Sequence, residues 1–237
     1  MSKIFEALAQ AQQRFKIKRK AQSSPFELKV FSMEYEMIEL YQSLKTLLTE
    51  NRRIIQFMGS QPKEGASSIA REFARVLAFR VGKAVFFLDA AQGVQSSSTL
   101  FNTKIENYIE DVIKSNKNID EAYYQVGESN LFIGSISNNS RLSPDLFDSP
   151  RIDKLWDKLR TRFDLVVIDA PPGAISSVGY AISRSVDGVV LVVEAEKTRW
   201  PVALNVKERI LQQGGNILGV VFNKRKFYIP RWIYKRL

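Results

Sequence analysis

The sequence predicts an α/β protein built on a doubly wound, mostly parallel sheet flanked by helices. Three observations lead there. Short runs of continuous apolar residues alternate with longer segments of helical periodicity, the pattern of strands buried on both faces. Two of those runs end in an aspartate, Asp89 and Asp169, and a third opens into a tight loop at the start of a helix. The 237 residues, 45% of them hydrophobic, can bury one sizeable core and are too few for two large domains.

Taken in order, residues 1–20 read as an amphipathic helix, with Ile4, Phe5, Leu8, Ala11 and Phe15 on one face. Residues 21–32 follow as a linker, since Gln22-Ser23-Ser24-Pro25 can bury little. The main domain is expected over 33–226. Its first helix runs from about Met33 to Glu50, with Met37, Ile38, Tyr41, Leu44, Leu47 and Leu48 at helical spacing. Strands are expected at Ile54–Met58, Ala84–Leu88, Leu131–Ser135, Leu165–Ile168, Gly188–Val193 and Ile217–Phe222. Helices are expected at Ser67–Val81, Ile105–Ser115, Pro150–Arg162, Val178–Ser185 and Pro201–Gln213. Residues 227–237 form a basic, aromatic tail.

The chain has neither Cys nor His. That excludes disulfides, thiolate nucleophiles, zinc sites built on those ligands and any imidazole step, leaving chemistry to carboxylates, lysines, hydroxyls, backbone amides or a bound cation. The net charge of +10 sits at the ends. Arg14, Lys16, Lys18, Arg19 and Lys20 carry +5, and Lys224, Arg225, Lys226, Arg231, Lys235 and Arg236 carry +6, so the remainder is at −1. A near-neutral body with basic arms suits an anionic membrane surface or an acidic partner rather than a nucleic-acid groove. No apolar run reaches the ~20 residues of a spanning helix and the start lacks a signal-peptide layout, so the expected location is cytoplasmic, peripheral at the inner membrane if it meets a membrane at all.

The strand–loop–helix at Gly59-Ser60-Gln61-Pro62-Lys63-Glu64-Gly65-Ala66-Ser67-Ser68 is a geometry that cradles phosphates, because backbone N–H groups and the helix dipole point at the anion. Pro62, Glu64, Gly65, Ser67 and Ser68 are its candidate contacts. In the P-loop pattern G-x-x-x-x-G-K-[ST] the lysine reaches the terminal phosphates and the hydroxyl binds magnesium. Here Gly65 and Ser67 are present, while Ser60 stands at the first glycine and Ala66 at the lysine. Asp89 and Asp169, each closing an apolar strand, can reach magnesium or its water shell, so Ser67, Asp89 and Asp169 are the candidate metal ligands. A single strand-terminal Asp is more often a cap or turn residue; two of them, in order after such a loop, favour a nucleotide site.

These residues resemble the bacterial tyrosine kinases of capsule and exopolysaccharide synthesis, which share a P-loop scaffold with MinD and ParA ATPases. Gln61-Pro62-Lys63-Glu64-Gly65-Ala66-Ser67-Ser68 matches that family's x-P-G-E-G-K-S-T loop, Leu88-Asp89-Ala90-Ala91-Gln92-Gly93 its L-D-A-D-x-R segment and Ile168-Asp169-Ala170-Pro171-Pro172 its I-D-x-P-P segment. Asp187-Gly188-Val189-Val190-Leu191-Val192-Val193 and Leu218-Gly219-Val220-Val221-Phe222-Asn223 match two later strands, and Ser2-Lys3-Ile4-Phe5-Glu6-Ala7-Leu8 resembles the start of exopolysaccharide-cluster members. The resemblance implies a P-loop fold, ATP or ADP with magnesium as ligands, and Asn223 near the adenine. It also implies, as partner, a polysaccharide export or chain-length-control membrane protein, or an intact kinase relative.

The departures fall on the chemistry. Ala66 replaces the lysine, Ala91 and Gly93 replace the second acid and the arginine after Asp89, Val178 stands where many members carry aspartate, and Lys63 takes a position usually given to glycine. Asp89 and Asp169 are what remains of the catalytic set. Glu39, Gln42 and Lys45 occupy the spacing of the family's E-x-x-R-x-x-R assembly motif without its arginines. Tyr228 and Tyr234 are the tyrosines left in the tail. The expected function is a regulatory or scaffolding pseudokinase of exopolysaccharide or capsule export with weak or absent ATP binding. The alternatives are an active ATP-dependent tyrosine autokinase and a MinD-like membrane-cycling ATPase.

Overall fold

The structure, a computed structural model, describes residues 33–48, 53–91, 107–115, 118–136 and 144–226. The expected amino-terminal helix, the linker and the basic tail lie outside the described residues.

Among the described residues, seven strands and six α-helices make one layered unit. In chain order they are α1 (Glu34–Lys45), β1 (Ile54–Gly59), α2 (Ala66–Phe79), β2 (Val85–Asp89), α3 (Ile109–Ser115), β3 (Tyr123–Gln125), β4 (Leu131–Ser135), α4 (Pro150–Arg162), β5 (Leu165–Ala170), α5 (Val178–Ser183), β6 (Gly188–Glu194), α6 (Trp200–Gln212) and β7 (Ile217–Asn223). The strand order is β3-β4-β2-β5-β1-β6-β7, and every pairing is parallel except the antiparallel edge pair β3–β4. β5 is inserted between β2 and β1, so the chain reverses its direction of winding around β1. In such sheets ligands bind outside the carboxyl ends of the strands at the reversal.

Side chains alternate across the sheet, and each face has its own apolar layer. Ile55, Phe57, Val85, Phe87, Leu165, Val167, Val190 and Val192 pack beneath α1 and α2. Ile54, Met58, Phe86, Leu88, Val166, Ile168, Val189 and Leu191 face the layer of α3 to α6. Burial on both faces is why β1, β2 and β5 read as near-continuous apolar runs. α4 shows the local rules at work. Ser149 caps it by accepting the Arg151 N–H at 3.3 Å, Pro150 occupies its first turn, and Ile152, Leu155, Trp156 and Leu159 form the buried stripe. Each such buried side chain contributes about 1.5–3 kcal/mol.

The sequence-based elements recur with ends shifted by up to five residues. The largest shifts are at α1, which stops at Lys45, and α3, which starts at Ile109. β3 and two short 3-10 turns, Ile119–Glu121 and Pro144–Asp148, were not expected. Glu39, Gln42 and Lys45 are exposed together along α1.

Candidate nucleotide site

The loop between β1 and α2 is shaped by its own side chains. Glu64 is buried, and its carboxylate accepts three hydrogen bonds: from the Ser60 hydroxyl at 2.7 Å, the Gln61 N–H at 2.8 Å and the Thr198 hydroxyl at 2.5 Å. The carboxylate thereby ties the loop to the turn after β6. The sequence alone gave no sign of Thr198, which lies 134 residues away.

The far strand clamps the same loop. The Asn223 amide donates to the Glu64 carbonyl at 2.8 Å, and the Lys224 ammonium donates to the Lys63 carbonyl at 2.6 Å and to the Glu194 carboxylate at 3.1 Å. Gly65 has φ +93°, and a Cβ there would stand 2.2 Å from Asn223 Nδ2. Glycine is therefore required both by backbone conformation and by space. Lys63 is also left-handed, at φ 70°, which accounts physically for the glycine that related loops carry there.

Ile69 makes the first intrahelical bond of α2, to the Gly65 carbonyl at 3.0 Å. The amides of Ala66, Ser67 and Ser68 precede it and belong to the group of donors that a helix start presents to an anion. Ala66 opens the helix with a methyl group where a cation would reach the phosphates. The Pro171-Pro172 loop is pinned alongside, as Gly173 and Ala174 donate to the Gly59 and Ser60 carbonyls at 3.0 Å each.

The acidic pair comes together through strand pairing. Asp89 and Asp169 are cross-strand partners at the ends of β2 and β5, and both are buried, with 5% and 2% exposure. The Ser67 hydroxyl acts on Asp169 in favour of its ionised form, and among the described residues Asp169 Oδ1 has no hydrogen-bond partner. Burial, then the neighbouring Asp89, pushes the Asp169 carboxyl up to about 7, against the opposing effects of the Ser67 hydroxyl and the Arg71 guanidinium. A buried, orphaned carboxylate oxygen is costly on its own and calls for a cation or proton.

Two carboxylates and a hydroxyl do not make a complete protein cage, and among the described residues there is no group of three or more His, Cys, Asp or Glu residues able to hold a metal. They do suit magnesium, which commonly takes one or two protein carboxylates and completes its shell with waters and substrate phosphates. Ser67, Asp89 and Asp169 are thus brought to one place, with Gly65 and Ser68 beside them. Pro62 lies exposed in the loop, and Glu64 and Asn223 are occupied in holding its shape. Of the positions that depart from the family pattern, Val178 is buried at the start of α5, and Gly93 lies outside the described residues. Sequence reasoning missed Arg71, whose spacing of four from Ser67 was its available signal.

Strand order and loop define a doubly wound, mostly parallel α/β sheet with a phosphate-loop-like turn between β1 and α2. No family model matches the chain. Its sequence relatives are tyrosine-protein kinases: it is 26% identical over 193 residues to Etk of Escherichia coli K12, covering 78% of this chain and 26% of that protein. It is 24% identical over 187 residues to CpsD of Streptococcus agalactiae, covering 73% and 80%. The chain therefore matches about a quarter of the length of the Escherichia coli kinase. Among solved structures, the kinase domain of that Escherichia coli enzyme aligns with a TM-score of 0.72 at 20% identity, over 83% of this chain and 79% of that one. The septum site-determining protein MinD from Pyrococcus horikoshii, complexed with Mg-ADP, aligns with a TM-score of 0.61 at 17% identity, over 78% and 76%. This is the fold common to bacterial tyrosine kinases and MinD-type ATPases, and the sequence likeness lies with the kinases.

Proposed function

We propose that the protein is a regulatory or scaffolding relative of the bacterial tyrosine kinases, acting in exopolysaccharide or capsule biosynthesis or export and holding a weakened nucleotide site. The observation that carries this is Ala66. Phosphoryl transfer relies on positioned cations, and the residue at the head of α2 offers none. A lost charge-assisted contact costs about 1.5–3 kcal/mol, a factor of roughly ten to a hundred in affinity. Ser67, Asp89 and Asp169 remain suited to magnesium, which when bound would neutralise phosphate charge, so ATP or ADP binding survives in weakened form.

The partner in this reading is a polysaccharide export or chain-length-control membrane protein, or an intact kinase relative. The basic ends of the chain support attachment at an anionic membrane surface, where each Lys or Arg contributes on the order of 1 kcal/mol. Among the described residues no helix is long and apolar enough to cross a membrane.

Calorimetric titration of ATP and ADP, with and without magnesium, tests the site. Weak magnesium-dependent binding, tightened by Ala66→Lys, is expected, together with no appreciable autophosphorylation. Robust tyrosine autophosphorylation by the unaltered purified protein would overturn the proposal in favour of an active autokinase.

A further inference from the structure

A cleft of about 410 Å³ opens on the α5–α6 side of the sheet, the face opposite α2 and the head of the phosphate loop. One stripe of α6 lines it: Val202, Asn205, Val206 and Arg209 follow one another at i, i+3, i+4 and i+7. Across from them stand the Tyr180 ring of α5 and the backbone of Gly173 and Ala174. Tyr180 and Val206 are buried and packed tightly against that backbone, since a Cβ on Gly173 would stand 2.6 Å from the Tyr180 hydroxyl oxygen and 3.0 Å from Val206 Cγ1. Ile175 and Trp200, the chain neighbours of two lining residues, are 67% and 70% exposed and extend the apolar surface around the cleft.

Two polar side chains are set into this lining. The Arg209 guanidinium carbon lies 4.5 Å from the centre of the Tyr180 ring, a cation–π contact that holds the charge at the cleft. No Asp or Glu lines the cleft, and among the described residues Arg209 has no acidic partner and the Asn205 amide no hydrogen bond. A mostly apolar hollow with a few placed polar groups, in the range of roughly 300–1,000 Å³, is the usual form of a small-molecule site.

We propose that this cleft is a second ligand site, separate from the nucleotide site, for a small organic carboxylate. Its apolar body would rest on Val202, Val206 and Tyr180, and its carboxylate would pair with Arg209 and accept from the Asn205 amide. The planar fork of a guanidinium matches a carboxylate. Arg209 is the one cation in the lining, so it balances a single negative charge, which suits a carboxylate better than a doubly charged phosphate monoester.

The test is an NMR titration of the full chain near neutral pH with 2-naphthoate, an ionised carboxylate on an apolar body, and with its uncharged counterpart 2-naphthol. Wild type, Arg209→Gln and Val202→Phe are compared, with thermal unfolding recorded for each. The expected result is saturable naphthoate binding by wild type, naphthol binding weaker by roughly tenfold, and a similar loss for naphthoate alone in Arg209→Gln. Val202→Phe, which fills the cleft, should weaken both probes. Wild type that binds no naphthoate, or binds naphthol as tightly, overturns the proposal. So does Arg209→Gln that keeps full naphthoate affinity, or that loses both probes equally. Should Arg209→Gln fail to fold, unchanged naphthoate binding in folded Val202→Phe overturns the site, and its loss there supports it.

Discussion

Asp169→Asn should make the ligand-free protein more stable while disabling its magnesium site. Asp169 is 2% exposed, keeps one carboxylate oxygen without a partner among the described residues and has its carboxyl pushed from 3.8 up to about 7. An acid whose folded pKa is raised binds its proton more tightly in the folded state, so stability falls as pH rises from about 4 to about 7 and stays low above. At about 1.4 kcal/mol per pKa unit, the full penalty at pH 8 is on the order of 4 kcal/mol, and close to 2 kcal/mol is already present at pH 5. Asparagine is neutral throughout, can still accept from Ser67 and can donate to Asp89. Its advantage over aspartate should therefore grow by about 2–3 kcal/mol between pH 5 and pH 8. For a domain of this size that is a widening of roughly 5–10 °C in Tm. The assay is thermal unfolding of wild type and variant in chelator across that pH range, paired with magnesium-dependent ATP titration. A Tm difference that stays constant with pH, or a variant less stable than wild type at pH 8, would refute the argument that the buried carboxylate is held at a cost.

Other consequences are independent of that pair. Gly65→Ala should lower stability by about 1–3 kcal/mol and weaken nucleotide binding, because the new Cβ meets Asn223 and the backbone is left-handed; urea unfolding reads the first effect and ATP titration the second. Asp187→Ala should cost about 3 kcal/mol or more, read as a lower urea midpoint. Its carboxylate accepts the Arg53 and Ile54 N–H groups at 2.7 and 2.8 Å and pairs with Arg160 at 2.9 Å, joining the starts of β1 and β6 to α4. Tyr123, buried and donating to Asp120 at 2.7 Å, has its phenol pushed up to about 12. Its contribution to stability is complete below pH 10 and fades as pH climbs toward 12, and absorbance at the phenolate band should show a late step that Tyr123→Phe removes. Full-chain protein should sediment with anionic vesicles at low salt and lose that association when residues 227–237 are removed.

Legibility in the sequence followed the range of the interaction. Continuous apolar runs, helical stripes and the Ser149-Pro150 start of α4 are local encodings, and they were enough to place the elements and to infer a parallel sheet. The phosphate loop and the two strand-terminal aspartates were legible for the same reason, since each motif is a contiguous segment whose backbone geometry depends on its own residues. β3 escaped because Tyr123-Tyr124-Gln125 is too short for a period to show, and its antiparallel pairing with β4 is set by the turn between them.

Only the tertiary structure decided how those segments meet. Inserting β5 between β2 and β1 buries Asp169 inside the sheet and puts Asp89, eighty residues before it, in register with it; burial first, and then that pairing, raise the carboxyl. Thr198, Asn223 and Lys224 hold the loop from across the sheet. A sequence records side-chain types along a line, whereas hydrogen bonding, desolvation and charge coupling depend on distances that are fixed when the sheet is assembled.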